Sequence, residues 1–117
     1  MQFTNVNFEL LDLKDYHLPF FNESNSPEGL EGKYTNAVAK KWSAKISSKD
    51  AFIIITPEYN HGTSAVLKNA LDWADRGKNS FDGKVAAIFG VSDGPYGTAR
   101  MQPHLLQVLA TLNVLTL

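Results

Sequence analysis

Ala51-Phe52-Ile53-Ile54-Ile55-Thr56-Pro57-Glu58-Tyr59-Asn60-His61-Gly62-Thr63 is the stretch that decides the fold. It opens with an unbroken apolar run that includes three consecutive isoleucines. Such a run reads as a strand from Ala51 to Thr56, apolar on both faces as a covered parallel sheet requires. An amphipathic helix follows, Ser64 to Asp75. Ser64 is placed to cap it. Leu67, Ala70, Leu71 and Ala74 form its inward stripe, and Gly77 is a stop signal. Pro57 to Thr63 is therefore a strand-to-helix loop at the carboxyl end of a buried strand. Open α/β sheets gather their ligands at such loops. Pro57 stiffens the start of the loop, Gly62 permits close backbone approach, and Tyr59, Asn60 and His61 supply flat or polar contacts. The set suits a planar, hydrogen-bonding ligand. The alternative is an ordinary turn in which Asn-His-Gly serves only turn chemistry.

Working outward, the pattern alternates. Val6 to Leu13 reads as a strand with Val6, Phe8 and Leu10 on one face. Asp15 to Gly32 is a loop rich in Pro, Asn, Ser and Gly, with Leu18-Pro19-Phe20-Phe21 expected to pack down on the body. Lys33 to Ser47 reads as a helix, with Val38, Trp42 and Ile46 recurring every four residues beside Ala39. Lys84 to Val91 is a second buried strand, and Ser92 to Thr98 a second loop. Ala99 to Leu112 is a helix striped by Met101, Leu105, Val108, Leu109 and Leu112. Asn113 to Leu117 starts a further strand. The order βαβαβαβ implies a doubly wound parallel sheet with helices on both faces. An apolar strand close to each end of the chain calls for neighbours, so residues 1–117 are expected to be part of a larger domain.

Composition narrows the function. A chain of 117 residues is one domain at most. Net charge −1 leaves no basic footprint for nucleic acid. There are no cysteines, which excludes disulfides, thiolate metal sites and thiol redox chemistry. A redox role thus requires a cofactor. No His, Asp and Glu cluster has metal-ligand spacing. No apolar run is long enough to cross a bilayer, the helices lack the basic face of a membrane-surface helix, and no signal peptide is visible. The cytoplasm is the expected location.

Thr56 to Gly62, followed by Leu67-Lys68-Asn69-Ala70-Leu71-Asp72-Trp73, resembles the NADPH-dependent FMN reductase family, the flavodoxin-like group that includes quinone, chromate and azo-dye reductases. Ser92-Asp93-Gly94-Pro95-Tyr96-Gly97-Thr98-Ala99-Arg100 resembles the family's Ser-x-Gly-x-x-Gly-Gly-Ala-Arg, with Thr98 in place of the second glycine. Gly62-Thr63-Ser64-Ala65 stands where many members have Ser-x-Pro-Gly. The family's opening strand, with its Gly-Ser-x-Arg-x-x-Ser loop for the FMN phosphate, has no counterpart in these residues, and neither have its closing strand and helix. The resemblance thus runs from the family's second strand to its fifth. It implies a flavodoxin-like sheet in which the strands at Val6–Leu13 and Ala51–Thr56 each miss the neighbour that the opening strand would provide.

The resemblance further implies FMN as cofactor, NADPH or NADH as reductant, and a small-molecule acceptor such as a quinone or free flavin. It also implies a homodimer or homotetramer formed through the helix after the first loop. Residues Pro57, Glu58, Tyr59, Asn60, His61 and Gly62 would line one side of the flavin, with backbone amides donating to the ring. Ser92, Gly94 and Gly97 would form the other wall; a flexible surface loop is the plainer reading. Tyr59 is either a flat contact to the ring or a surface anchor, and Glu58 either a loop element or half of an interface ion pair. Arg100, a cation at a helix start, calls for a partner: a carboxylate, the dinucleotide phosphate, or solvent alone. His61 is read as a turn residue, and His17 and His104 as isolated surface residues. Trp42 and Trp73 are packing residues, and Lys68 and Asp72 a helix pair. Hydride transfer on the flavin needs no catalytic side chain. Two rivals remain open. One is a flavin-free binding or regulatory domain of the same fold. The other, an electron-transfer flavodoxin, is disfavoured by the weak net charge.

Overall fold

The computed structural model describes residues 5–23, 34–74 and 79–117. Its elements are α1 (Ala37–Ser47), β1 (Ala51–Tyr59), β2 (Gly62–Thr63), α2 (Ala65–Ala74), β3 (Val85–Val91), α3 (Met101–Thr111) and β4 (Leu115–Thr116). The sheet order is β2-β1-β3-β4. β1, β3 and β4 run parallel, and β2 turns back antiparallel on the end of β1. The result is an α/β fold with a mixed four-stranded sheet and three helices.

Each helix starts where its sequence supplies an acceptor or a tight turn. Asn36 caps α1, its side chain accepting from the N–H groups of Val38 and Ala39. Ser64 caps α2 through Leu67 N–H. Helix α1 therefore starts at Ala37; the expected start at Lys33 lies outside the described residues, as do Asp75, the stop at Gly77 and residues 24–32 of the expected loop.

The three helices pack into one core. Trp42 and Ile46 of α1, Leu71 and Trp73 of α2, and Met101, Leu105 and Leu109 of α3 are buried together with Phe81, Ala86, Leu112 and Val114. Both tryptophans also donate from Nε1, Trp42 to the Ala70 carbonyl at 2.8 Å and Trp73 to the Pro19 carbonyl at 2.7 Å. The segment 18–21 packs down as expected: Phe21 lies edge-on to Trp73, and Asn69 grips the backbone at Pro19 and Phe21. Phe20 is the exception and points outward.

One expectation needs correction. Residues 6–12 form no strand; they run extended, with Val6, Phe8 and Leu10 exposed. A strand needs a ladder partner, and this segment has none among the described residues. It is held instead by Glu9, which pairs with Lys45 at 2.8 Å and also with Lys49. One face of the sheet, moreover, is exposed among the described residues. Phe52, Ile54, Ala86 and Ile88 face the helical core, whereas Ile53, Ile55, Phe89 and Val91 on β1 and β3 are exposed. The uniform hydrophobicity of the strands hid this, because a run apolar at every position carries no signal of which side is covered.

Candidate functional site

Parallel pairing brings the two loops together. Thr56 lies opposite Gly90 and Pro57 opposite Val91, so the loop leaving β1 and the loop leaving β3 emerge side by side at the carboxyl edge of the sheet. That is where a parallel α/β sheet binds its ligands.

The first loop is a tight hairpin. Tyr59 pairs with Gly62 and Glu58 with Thr63. Between them Asn60 (φ 49°) and His61 (φ 65°) both take the left-handed conformation of a type I′ turn. Asparagine tolerates this region better than most residues. Its side chain makes no hydrogen bond among the described residues, so the turn is shaped by the hairpin ladder and not by a side-chain bond to the backbone. The amide of Gly62 sits in the ladder, while Asn60 and His61 are exposed residues whose amides make no hydrogen bond among the described residues. Tyr59 is exposed beside them.

The second loop contributes Ser92 to Arg100. The Ser92 hydroxyl accepts from Gly94 N–H at 3.1 Å, and Gly97 takes a left-handed φ of 52° that suits glycine. Tyr96 is exposed, with the Arg100 guanidinium 3.9 Å above its ring centroid. Arg100 also reaches back to the first loop, its Nη1 lying 2.9 Å from His61 Nε2. The His61 and Tyr96 rings meet edge-on at 5.8 Å. His61, Tyr96 and Arg100 thus form one cluster across the two loops.

Glu58 is not presented to a ligand. Its side chain is 7% exposed, and Oε2 accepts from Met101 N–H at 2.9 Å. Arg100, the residue at the start of α3, offers no capping side chain, so a carboxylate from the neighbouring loop satisfies the helix N-terminus instead. Glu58 Oε1 lies 3.6 Å from His61 Nδ1. Within the described residues the neighbours of Arg100 are an imidazole and a phenol ring, and the carboxylate of Glu58 serves the helix.

His104 is exposed, as expected of a surface residue, but it is not isolated. Its Nδ1 accepts from Thr63 N–H at 3.2 Å. Gly62 makes room for it, since a Cβ there would lie 3.3 Å from Nδ1. Sequence reading missed this contact; the available signal was spacing, because His104 follows Arg100 by four residues and so shares its helix face. His17 is exposed, and the Lys68–Asp72 pair is present at 2.6 Å. No group of three metal-binding side chains occurs among the described residues, and no described helix is long and apolar enough to cross a membrane.

These residues fit the ring portion of a flavin. Two unpaired amides at Asn60 and His61, bare backbone at Gly94 and Gly97, and the exposed rings of Tyr59 and Tyr96 line one edge of the sheet.

Comparison with known proteins identifies the family. The chain is 40% identical over 110 residues to an NAD(P)H-dependent FMN reductase of Pseudomonas aeruginosa, covering 93% of this chain and 56% of that protein. It is 37% identical over 113 residues to a 2-hydroxy-1,4-benzoquinone reductase of a Burkholderia species, covering 95% and 57%. Among solved structures it resembles FerB, a flavoenzyme NAD(P)H:(acceptor) oxidoreductase of Paracoccus denitrificans, with TM-score 0.77 and 34% identity over 95% of this chain and 58% of that one. The chain thus spans little more than half the length of these relatives. The family model for NADPH-dependent FMN reductases matches residues 1–117, and the chain belongs to that family.

Proposed function

We propose that this chain carries the ring-binding part of an NAD(P)H-dependent FMN reductase. The observation that carries the reading is the pairing of the two loops, with the free amides of Asn60 and His61 at the carboxyl edge of a parallel sheet. Bound FMN supplies the hydride-accepting and electron-donating chemistry that the side chains lack. Pro57 and the hairpin present the two amides to the ring's polar edge, and Gly94 and Gly97 leave space for its body. Tyr59 and Tyr96 offer flat apolar surface. Arg100 holds a fixed positive charge beside the site, suited to a phosphate of NADPH or NADH. The names of the relatives support a quinone-like, small-molecule acceptor.

The exposed face of Ile53, Ile55, Phe89 and Val91, together with the length of the relatives, supports reading residues 1–117 as part of a doubly wound, flavodoxin-like domain. We also infer a homodimer or homotetramer joined through α2, and a cytoplasmic location. Light scattering on the intact protein checks the assembly, and a clean monomer refutes it.

FMN titration of the intact protein, followed by flavin fluorescence and then by NAD(P)H oxidation, tests the activity. Saturable quenching and FMN-dependent oxidation are expected. A preparation that stays colourless with added FMN and leaves NAD(P)H untouched overturns the proposal in favour of a flavin-free binding domain.

A further inference from the structure

We propose that His104 is a positioning residue: as a neutral imidazole accepting at Nδ1, it clamps the Tyr59–Thr63 hairpin and so aims the amides of Asn60 and His61. Only the last consequence, affinity for the ring, rests on the flavin reading above.

The hairpin needs an outside hold. Its ladder has only two residue pairs, Tyr59–Gly62 and Glu58–Thr63, too few to hold a hairpin by themselves. Glu58 ties the base of the hairpin to α3 through Met101 N–H. His104, from the first turn of α3, ties the returning strand through Thr63 N–H at 3.2 Å. The two contacts are reciprocal, hairpin side chain to helix backbone and helix side chain to hairpin backbone. Gly62 lets the imidazole sit against the turn, since even a methyl group there would crowd Nδ1 at 3.3 Å. The hydroxyl of Thr63 makes no bond among the described residues, so it does not substitute for the amide contact.

The protonation state follows from the contact. A backbone N–H can donate to Nδ1 only if that nitrogen keeps its lone pair, so the ring proton is on Nε2. A second proton would turn the acceptor into a donor facing a donor and open the clamp. The charged and titratable groups around it are Arg100 at the start of α3 and Glu58 and His61 on the hairpin. Helix α3 has no other ionisable side chain, and β3 and β4, which also pack on it, have none.

The test is amide hydrogen exchange at Thr63 in the intact protein, with FMN titration in parallel. His104→Ala removes the acceptor. His104→Asn keeps an oxygen where Nδ1 was and cannot titrate. Loss of one hydrogen bond predicts about a five- to tenfold drop in Thr63 protection for His104→Ala, regained in His104→Asn. FMN affinity falls by a similar factor in His104→Ala and returns in His104→Asn. Thr63 protection that ignores the alanine change, or that asparagine fails to restore, overturns the clamp. Should the alanine variant not fold, His104→Gln takes its place, since its longer side chain moves the acceptor away from Thr63 N–H: a drop in protection supports the clamp and unchanged protection overturns it. Unchanged FMN affinity in His104→Ala overturns the positioning role. A wild type with the expected exchange but no FMN binding leaves the clamp standing and sinks the flavin reading.

Discussion

Gly90 is a glycine because Thr98 occupies its space. A Cβ on Gly90 would lie 2.6 Å from the Thr98 Cγ2, and Thr98 is only 2% exposed. Thr98 itself sits at φ 69°, a position that the family pattern fills with glycine. The two residues are therefore coupled. Gly90→Ala is expected to destabilise by about 1–3 kcal/mol through overpacking. In a Thr98→Gly background the same change should be nearly silent, giving a coupling energy of about 1 kcal/mol or more. Urea unfolding of the four proteins measures it, and additive effects would show that the crowding relaxes elsewhere. Thr63 offers a second test, since its hydroxyl is buried without a partner among the described residues. Thr63→Val keeps the shape and the strand conformation while removing an unsatisfied polar group, so stability should hold or rise by about 1 kcal/mol. A loss of that size would reveal a hidden partner.

At the scale of elements, loops and helices are joined by single carboxylates. Glu58 supplies the N-terminal acceptor that α3 lacks, so Glu58→Ala should destabilise by about 1–2 kcal/mol and Glu58→Gln by less, because the amide oxygen can still accept. Thermal unfolding separates the two, and equal losses would assign the effect to charge. Glu9 ties the extended segment to α1. Its hydrogen bonds to Lys45 and then Lys49 hold its carboxyl down at about 2, against an ordinary value of 4.5. For an acid with a depressed pKa the stabilisation is complete above the ordinary value and fades as pH falls toward the folded one. The hold of Glu9 on α1, read from NMR contacts between Glu9 and Lys45, should therefore decline between pH 4.5 and about 2, and be weaker throughout at high salt because the pair is exposed. In Glu9→Gln that decline should be absent, and its persistence would place the titrating group elsewhere.

For the whole molecule the decisive feature is the uncovered sheet. Ile53, Ile55, Phe89 and Val91 form an apolar face opposite the helical core, and residues 51–57 of β1 have no ladder partner on one edge among the described residues. Contiguous apolar surface and open strand edges invite association. The 117-residue polypeptide is thus expected to bind an apolar dye and to self-associate, and Ile55→Lys with Phe89→Lys should suppress both without touching the core. A monomer that ignores the dye would count against this. The same polypeptide is expected to bind FMN far more weakly than a protein that also supplies a phosphate loop. Charge-assisted hydrogen bonds at a helix N-terminus are each worth roughly 1.5–3 kcal/mol. Submicromolar binding by a folded monomer of these residues would overturn that view.

Sequence alone determined the parts whose causes are local. The Ile53–Ile55 run, the cap at Ser64, the stripes of α2 and α3 and the loops at 57–62 and 92–97 all follow from periodicity and turn chemistry, which act over a few residues. Those loops also carry the family resemblance. Tertiary structure decided what depends on residues far apart in the chain. Pairing of Thr56 with Gly90 is what sets the two loops side by side. Only the fold shows that Glu58 serves a helix 43 residues away, or that His104 meets Thr63 across 41. Only the fold shows that the segment 6–12 lacks a ladder partner among the described residues and that one face of an evenly apolar strand is bare. A side chain's composition is local, but its partner is chosen by the path of the whole chain.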